Sequence, residues 1–180
     1  ALDSAKNWKE RLSTNRWHGF LKMQKKVAPK LHKIICPSMQ SKEDVVKEFL
    51  VKPASIDVVL NGIDINTFRF RGSERSHSNC IVTTASADIP LKGLKYLIAS
   101  LPGILEEFPD THLQVIGKAP KGGFIRRLIS KLHLVDKVSF HSELSESEVV
   151  QIYSNAEIAV IPSLYEGFGF GAGEAMACGV

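Results

Sequence analysis

Short apolar runs alternate with longer amphipathic segments in the second half of the chain, and this alternation limits the fold more than any other feature. Short apolar runs are typical of strands buried on both faces, and the longer segments between them are typical of helices. Consecutive units of this kind form a parallel sheet with helices on both faces, so we predict an α/β fold. The predicted elements are strand 79–85, helix 92–107, strand 112–116, helix 122–132, strand 137–140, helix 145–154 and strand 157–161.

The first 62 residues carry a shorter series of elements. The predicted elements are helix 15–31, strand 33–36, helix 41–49 with Ser41 as its N-cap, and strand 56–60, and Pro29 should end or kink the first helix. Residues 69–78 are polar and low in apolar content, which favours an exposed linker. We therefore predict one domain over residues 1–62, a linker over 63–78 and a second domain over 79–180.

Composition bounds the class of protein. Apolar residues make up 44% and charged residues 23% of the chain, which is ordinary for a globular protein. The sequence has neither a run of about 18 apolar residues nor a signal-peptide pattern. Cys36, Cys80 and Cys178 show no metal or disulfide spacing. We expect a cytoplasmic protein, and since the sequence starts with Ala and stops just after Cys178-Gly179, a fragment of a longer one.

The N-terminal segment is strongly basic. Residues 1–33 hold nine Lys and Arg against two acidic residues. A solvated face on an amphipathic helix is the simplest interpretation. The alternative is peripheral contact with a membrane surface, with Trp8 and Trp17 as interfacial groups. Nothing else in the chain resembles a nucleic-acid recognition module, so we expect no nucleic acid partner.

A glycine-rich segment between two glutamates carries the strongest functional signal. Glu166 and Glu174 enclose four glycines at every second position and follow the last predicted strand. Glycine lets a ligand approach main-chain N–H groups, and a helix start behind the loop suits a phosphate. The two carboxylates can accept hydrogen bonds from hydroxyl groups. A nucleotide sugar offers both kinds of group, so we expect it as the ligand.

Three more residues are predicted on the same edge of the sheet, because each lies near the carboxyl end of a strand. Lys92 opens the helix after strand 79–85 and could face a diphosphate, with a solvated lysine as the alternative. Gly117 could let a ligand approach the chain, or serve a plain turn. His141 could contact ligand, or be an ordinary surface histidine. The sequence contains no G-x-G-x-x-G, P-loop, Asp-x-Asp or G-x-S-x-G motif.

These residues resemble a known family. The chain is similar over about residues 32–180 to retaining glycosyltransferases of the GT-B fold, in the large family often numbered four. The Glu-Gly-Phe-Gly start and the seven-residue spacing to Glu174 are the specific part. The supporting stretches are Val58-Val59-Leu60-Asn61-Gly62-Ile63-Asp64 with Phe68, Leu91-Lys92-Gly93-Leu94, Val138-Ser139-Phe140-His141 and Ile161-Pro162-Ser163.

The resemblance implies a fold, a reaction and a set of roles. It implies the tail of a Rossmann-like, acceptor-binding domain followed by most of a Rossmann-like, donor-binding domain. Glu174 would bind ribose hydroxyls, Glu166 would bind hydroxyls of the donor sugar, and Lys92 would face the leaving diphosphate. Main-chain N–H groups would bind the sugar and β-phosphate; they belong to Gly167, Phe168, Gly169 and Phe170. Transfer would retain the anomeric configuration, with no metal or other cofactor, to a carbohydrate or lipid-linked acceptor.

One departure from the family pattern concerns the phosphate site. The family usually carries an Arg five residues before the Lys, and here that position is Ala87. Arg126 or Arg127 could substitute for the lost cation. The alternatives to a glycosyltransferase are a weakened or non-catalytic nucleotide-sugar-binding homologue and a GT-B-like nucleotide-sugar epimerase. We expect the 180-residue fragment alone to be inactive.

Overall fold

The computed structural model describes residues 19–70, 79–86 and 88–180. The predictions that involve Trp8, Trp17, Ala87 and residues 71–78 therefore lie outside the described residues. The chain divides between Asn61 and Gly62 into two compact units.

Within residues 19–61, the first unit contains a small parallel sheet and two helices. Residues 19–27 form helix α1, and a 3-10 turn at Ala28–Lys30, which contains Pro29, follows it. Strand β1 (Ile34–Cys36) pairs in parallel with strand β2 (Ile56–Val58), and helix α2 (Met39–Phe49) connects them. The predicted N-cap of α2 was wrong: Ser38 caps it, and the Ser38 hydroxyl accepts the Ser41 N–H at 3.1 Å.

The second unit is a parallel sheet with helices on both faces, as the alternation of the sequence predicts. Its four strands run in the spatial order β5-β4-β3-β6, and every neighbouring pair is parallel. The elements are β3 (Cys80–Thr84), α3 (Leu94–Glu107), β4 (His112–Ile116), α4 (Phe124–Lys131), β5 (Val138–His141), α5 (Glu146–Asn155), β6 (Ile158–Ala159) and α6 (Phe170–Ala177). Two 3-10 turns, Pro90–Lys92 and Val135–Lys137, precede α3 and β5.

Alternate residues of the strands supply the two faces of this sheet. Ile81, Leu113 and Val115 lie in the core that α3 and α4 cover. Val82 lies in a separate core with residues of α5 and α6, including Tyr153. The carboxyl ends of all four strands consequently meet at one edge, where loops leave toward α3, α4, α5 and α6.

Two predicted boundaries near this edge were wrong. Lys92 does not open a helix: it ends a 3-10 turn, and Gly93, with φ +66°, is the N-cap of α3. The predicted buried strand 157–161 is only Ile158–Ala159, and Ile158 is exposed.

The glycine-rich segment is half loop and half helix, because α6 already begins at Phe170. Gly171 and Gly173 therefore lie inside α6 and not in a loop. A Cβ on Gly171 would lie 3.2 Å from Thr84 Cβ, and one on Gly173 would lie 2.8 Å from Ile63 Cδ1. These two glycines let α6 pack closely on its neighbours.

The predicted domain boundaries stay predictions, but the described part of the linker can be placed. Residues 62–70 fall in the second unit, where Phe68 is partly buried against the core that contains Tyr153. Within the described ranges, no helix is both long and apolar enough to cross a lipid bilayer.

Candidate functional site

The loops that follow β3 and β6 contact each other at the carboxyl edge of the sheet. These strands are neighbours, although the chain reaches them far apart in sequence. The Leu164 N–H donates to the Leu91 carbonyl at 2.9 Å. Gly93 lies so close to the second loop that a Cβ on it would be 1.8 Å from the Pro162 carbonyl oxygen. Glycine is therefore required at position 93 both for its positive φ and for this approach.

The contact between the loops brings Lys92 and Glu166 together, as the sequence predicts for residues on one edge. Lys92 Nζ lies 2.8 Å from Glu166 Oε1, and Ser163 Oγ donates to the same oxygen at 2.7 Å. The hydrogen bond from Lys92 lowers the pKa of Glu166 below its ordinary value. Both side chains keep about a third of their surface exposed, at 36% and 31%. The pair is therefore charged and open to a ligand.

The start of helix α6 follows Glu166 directly. Its N-cap is Gly169, with φ +89°, and among the described residues no side chain caps this helix start. The first N–H groups of a helix have no partner within the helix, and they carry partial positive charge. Phe168 and Phe170 pack edge to face with ring centroids 5.1 Å apart, which fixes the turn around Gly169. The helix start therefore presents donors suited to an anion beside Glu166.

Glu174 lies one turn into α6 and belongs to a separate hydrogen-bonded chain. The Tyr153 hydroxyl lies 3.5 Å from Glu174 Oε2 and 2.7 Å from Thr84 Oγ1. Burial raises the pKa of Glu174 above its ordinary value, and the hydrogen bond from Tyr153 lowers it in part. Burial also raises the pKa of Tyr153 to about 12. Glu174 is partly exposed, so its carboxylate remains accessible to a ligand.

Gly117 and His141 lie on the other side of the sheet edge. The Gly117 N–H donates to the His141 carbonyl at 2.8 Å. A Cβ on Gly117 would lie 2.2 Å from the Ala85 carbonyl oxygen, so backbone packing alone requires glycine there. His141 Nε2 is buried and has no hydrogen-bond partner among the described residues. Parallel strands lie about 4.8 Å apart, so about 14 Å separates the end of β5, with His141, from the end of β6.

Both arginines that could replace a second cation are engaged around α4. Arg126 donates to the Ala119 carbonyl at 3.1 Å, and its guanidinium carbon lies 5.3 Å from the centroid of the Phe140 ring. Arg127 donates to the Gly122 carbonyl.

Sequence reasoning missed three polar residues that hold the site in place. Ser163 contacts Glu166, Tyr153 contacts Glu174, and Asp88 Oδ1 accepts the Ile125 N–H at the start of α4 at 2.8 Å. A tyrosine on the apolar stripe of helix 145–154 was the available signal, because a buried phenol needs a hydrogen-bond partner. Asp88 gave no comparable signal in the sequence.

Within the part of the chain that the structure describes, no group of three or more His, Cys, Asp or Glu side chains is placed to hold a metal ion.

The parallel sheet with helices on both faces places the second unit in the α/β class, with the GT-B fold of its structural neighbours. The family model for glycosyl transferases group 1 matches residues 64–180, and the chain belongs to that family. The expected resemblance is thereby confirmed.

Curated relatives and solved structures agree with this assignment. The chain is 38% identical over 176 residues to MMP alpha-(1->4)-mannosyltransferase of Mycolicibacterium hassiacum, covering 98% of this chain and 42% of that protein. HepE of Anabaena, solved in complex with UDP-glucose, is 20% identical with a TM-score of 0.75, covering 88% of this chain and 46% of that one. Sucrose-phosphate synthase of Thermosynechococcus elongatus is 24% identical with a TM-score of 0.71, covering 91% and 43%. The chain thus spans less than half the length of each of these proteins.

Proposed function

We propose that the protein carrying this chain transfers a sugar from a nucleoside diphosphate sugar to an acceptor. The observation that carries the proposal is the contact of Lys92 Nζ with Glu166 Oε1 at 2.8 Å, beside the uncapped start of α6. A cation and helix N–H groups suit a diphosphate, and two carboxylates suit hydroxyl groups. Membership of the glycosyl transferases group 1 family supports the same reaction.

Donor binding would exchange the partners of the ion pair. Lys92 forms an ion pair with Glu166 in the structure, and a diphosphate placed beside Lys92 would compete with Glu166 for the ammonium group. Glu166 would then accept hydrogen bonds from hydroxyls of the donor sugar, and Ser163 would keep its carboxylate in place. Main-chain N–H groups of Gly167, Phe168, Gly169 and Phe170 would face the sugar and β-phosphate.

The chemical step would break the bond between the anomeric carbon and the diphosphate oxygen and form a bond from that carbon to an acceptor hydroxyl oxygen. The proton of that hydroxyl and the electron pair of the broken bond would go to the diphosphate. Lys92 and the start of α6 would stabilise the negative charge that develops there, a preorganised electrostatic contribution. We propose that transfer retains the anomeric configuration and needs no divalent metal. The absence of Asp-x-Asp from the sequence supports the second point.

The ribose and the base of the donor would lie along the carboxyl edge of the sheet. Glu174 would accept hydrogen bonds from the ribose. Gly117, after β4, and His141, at the end of β5, would border the base, about 10 Å and about 14 Å from the end of β6. HepE, whose structures hold UDP or UDP-glucose, has the same fold and supports a nucleotide donor. A carbohydrate or lipid-linked acceptor, a cytoplasmic location and membrane contact through residues 1–33 are proposals that rest on the sequence.

Glu174→Ala in the full-length protein tests this function. A hydrogen bond to a charged group contributes about 1.5–3 kcal/mol, so we expect donor affinity to fall about tenfold to a hundredfold. Glu106→Ala is the matched control, because Glu106 is an exposed glutamate near the end of α3. Calorimetry with UDP and with UDP-glucose measures binding, and NMR of the product measures the anomeric configuration. A Glu174→Ala protein that binds and turns over donor normally contradicts the proposal.

The alternatives predict different results in the same assays. An epimerase converts donor without acceptor, and a weakened homologue binds donor but gains rate when Ala87 is changed to Arg. No observation on the described residues favours either alternative.

A further inference from the structure

We infer that Tyr153 is a positioning residue that orients the Glu174 carboxylate for donor binding. Tyr153 is 1% exposed, and its hydroxyl lies between Thr84 Oγ1 at 2.7 Å and Glu174 Oε2 at 3.5 Å. The inference rests on the proposed role of Glu174 toward ribose hydroxyls. Tyr153 would act through Glu174 and would not itself touch the donor.

The direction of the hydrogen bonds follows from the chemistry of the three groups. A carboxylate can only accept, so the single phenol proton of Tyr153 goes to Glu174. The Tyr153 oxygen then accepts from the Thr84 hydroxyl. Thr84 is the last residue of the central strand β3, and its Cβ lies close to Gly171 in the first turn of α6. The chain of hydrogen bonds therefore ties Glu174 to the rigid centre of the sheet.

The surroundings keep the Tyr153 hydroxyl protonated, so that it can donate a hydrogen bond, and they make the pKa of Glu174 depend on that bond. Burial raises the pKa of Tyr153 to about 12, so the phenol stays protonated throughout the neutral range. The hydrogen bond with Thr84 lowers the pKa of this phenol in part, and Glu174 of α6 and Cys178, the residue after α6, raise it further. Burial and the charge of Glu146 on α5 raise the pKa of Glu174, and the hydrogen bond from Tyr153 opposes them.

Without the phenol hydroxyl, the pKa of Glu174 rises further above its ordinary value of 4.5. Glu174 then becomes protonated at a higher pH, and a neutral carboxyl accepts hydrogen bonds from hydroxyls less strongly. Donor affinity should therefore be lost earlier as the pH falls, while turnover at saturating donor changes little.

Tyr153→Phe in the full-length protein tests the inference, with Tyr96→Phe as the matched control because Tyr96 is 51% exposed. The first readout is donor KM and kcat between pH 5 and pH 8. We expect KM to rise several-fold near pH 5 with kcat within a factor of two, and the acid limb of 1/KM to move to higher pH. The second readout is NMR titration of carboxyl-labelled glutamate, with Glu174→Gln identifying the signal.

The two readouts separate this inference from the proposed function. A wild-type protein that binds and turns over no nucleoside diphosphate sugar refutes the function, and the titration of Glu174 then still tests the role of Tyr153. Unchanged titration of Glu174 together with an unchanged KM overturns the inference. If Tyr153→Phe does not fold, Thr84→Val is the second variant. The pKa of Glu174 should rise there as well, and a fall would show that Tyr153 donates to Thr84 instead.

Discussion

Asp88 and Gly123 lie against each other at the start of helix α4, and this contact gives the most quantitative prediction. Asp88 Oδ1 accepts the Ile125 N–H at 2.8 Å, although Asp88 belongs to the loop after β3. A Cβ on Gly123 would lie 2.0 Å from Asp88 Oδ2. Gly123→Ala should therefore push the carboxylate away from Ile125, and its backbone, with φ −63°, would otherwise accept alanine.

The magnitude follows from the bond that is lost. Removing a side chain that caps a helix start costs about 1 kcal/mol. Asp88→Ala should cost at least that amount, because Asp88 also has φ +62°, a conformation that alanine disfavours. Gly123→Ala should cost about 1 kcal/mol for the lost cap plus the poorer N-cap preference of alanine. In the Asp88→Ala background only the second part of the Gly123→Ala cost remains, since the cap is already gone. The Pro120 carbonyl, 3.1 Å from the same Cβ, is present in both backgrounds and cancels.

Urea unfolding of the wild type, the two single variants and the double variant measures this coupling. We expect the free energies of unfolding to be non-additive by about 1 kcal/mol. Additive effects, within about 0.3–0.5 kcal/mol, would show that Gly123 does not depend on Asp88 and would refute the reasoning. Asp88→Asn is the control, because its side-chain oxygen can still accept the Ile125 N–H.

Two further predictions concern the loops around the ion pair. Gly93→Ala should lower the free energy of unfolding by more than about 2 kcal/mol, because a positive φ costs about 1–2 kcal/mol and the added Cβ would clash with the Pro162 carbonyl. Gly103→Ala in α3, where a Cβ meets no other atom, is the control and should raise the free energy of unfolding measured in urea. Equal effects of the two substitutions would contradict this prediction. Since Lys92 lowers the pKa of Glu166, the stability from their pair is present above about pH 4.5 and is lost as the pH falls through the lowered pKa. Glu166→Gln should therefore reduce the fall in the free energy of unfolding over this acidic range. An unchanged dependence on pH would argue against the pair.

The periodicity of the sequence predicted the fold because each element has a distinct spacing of apolar residues. Strands buried on both faces give continuous apolar runs, and that signal does not depend on neighbours. Helix starts depend on local choices that a single sequence leaves open. Ser38 and Ser41 are both residue types that can cap a helix, and the sequence alone does not decide between them. In the structure α2 begins at Met39, and Ser38 is its N-cap.

The site could be predicted only as far as one edge of the sheet. Lys92 and Glu166 each follow a strand, but their contact depends on β6 lying beside β3, and strand order leaves no trace in residue type. Gly171 and Gly173 looked like loop residues because close helix packing and ligand approach select the same residue. Tyr153 was not singled out from the sequence, since its hydrogen-bond partners come from other elements.

The order in which the strands pair has a consequence for how the protein is made. Lys92 and Glu166 are 74 residues apart, and β3 must wait for β6 before their loops can meet. At about 5–20 residues per second, ribosomal synthesis separates the two side chains by about 4–15 s. During that interval the nascent chain can already pair β3 with β4 and β4 with β5. Closure of the ion pair would therefore mark the pairing of β6 with β3 in the newly made protein.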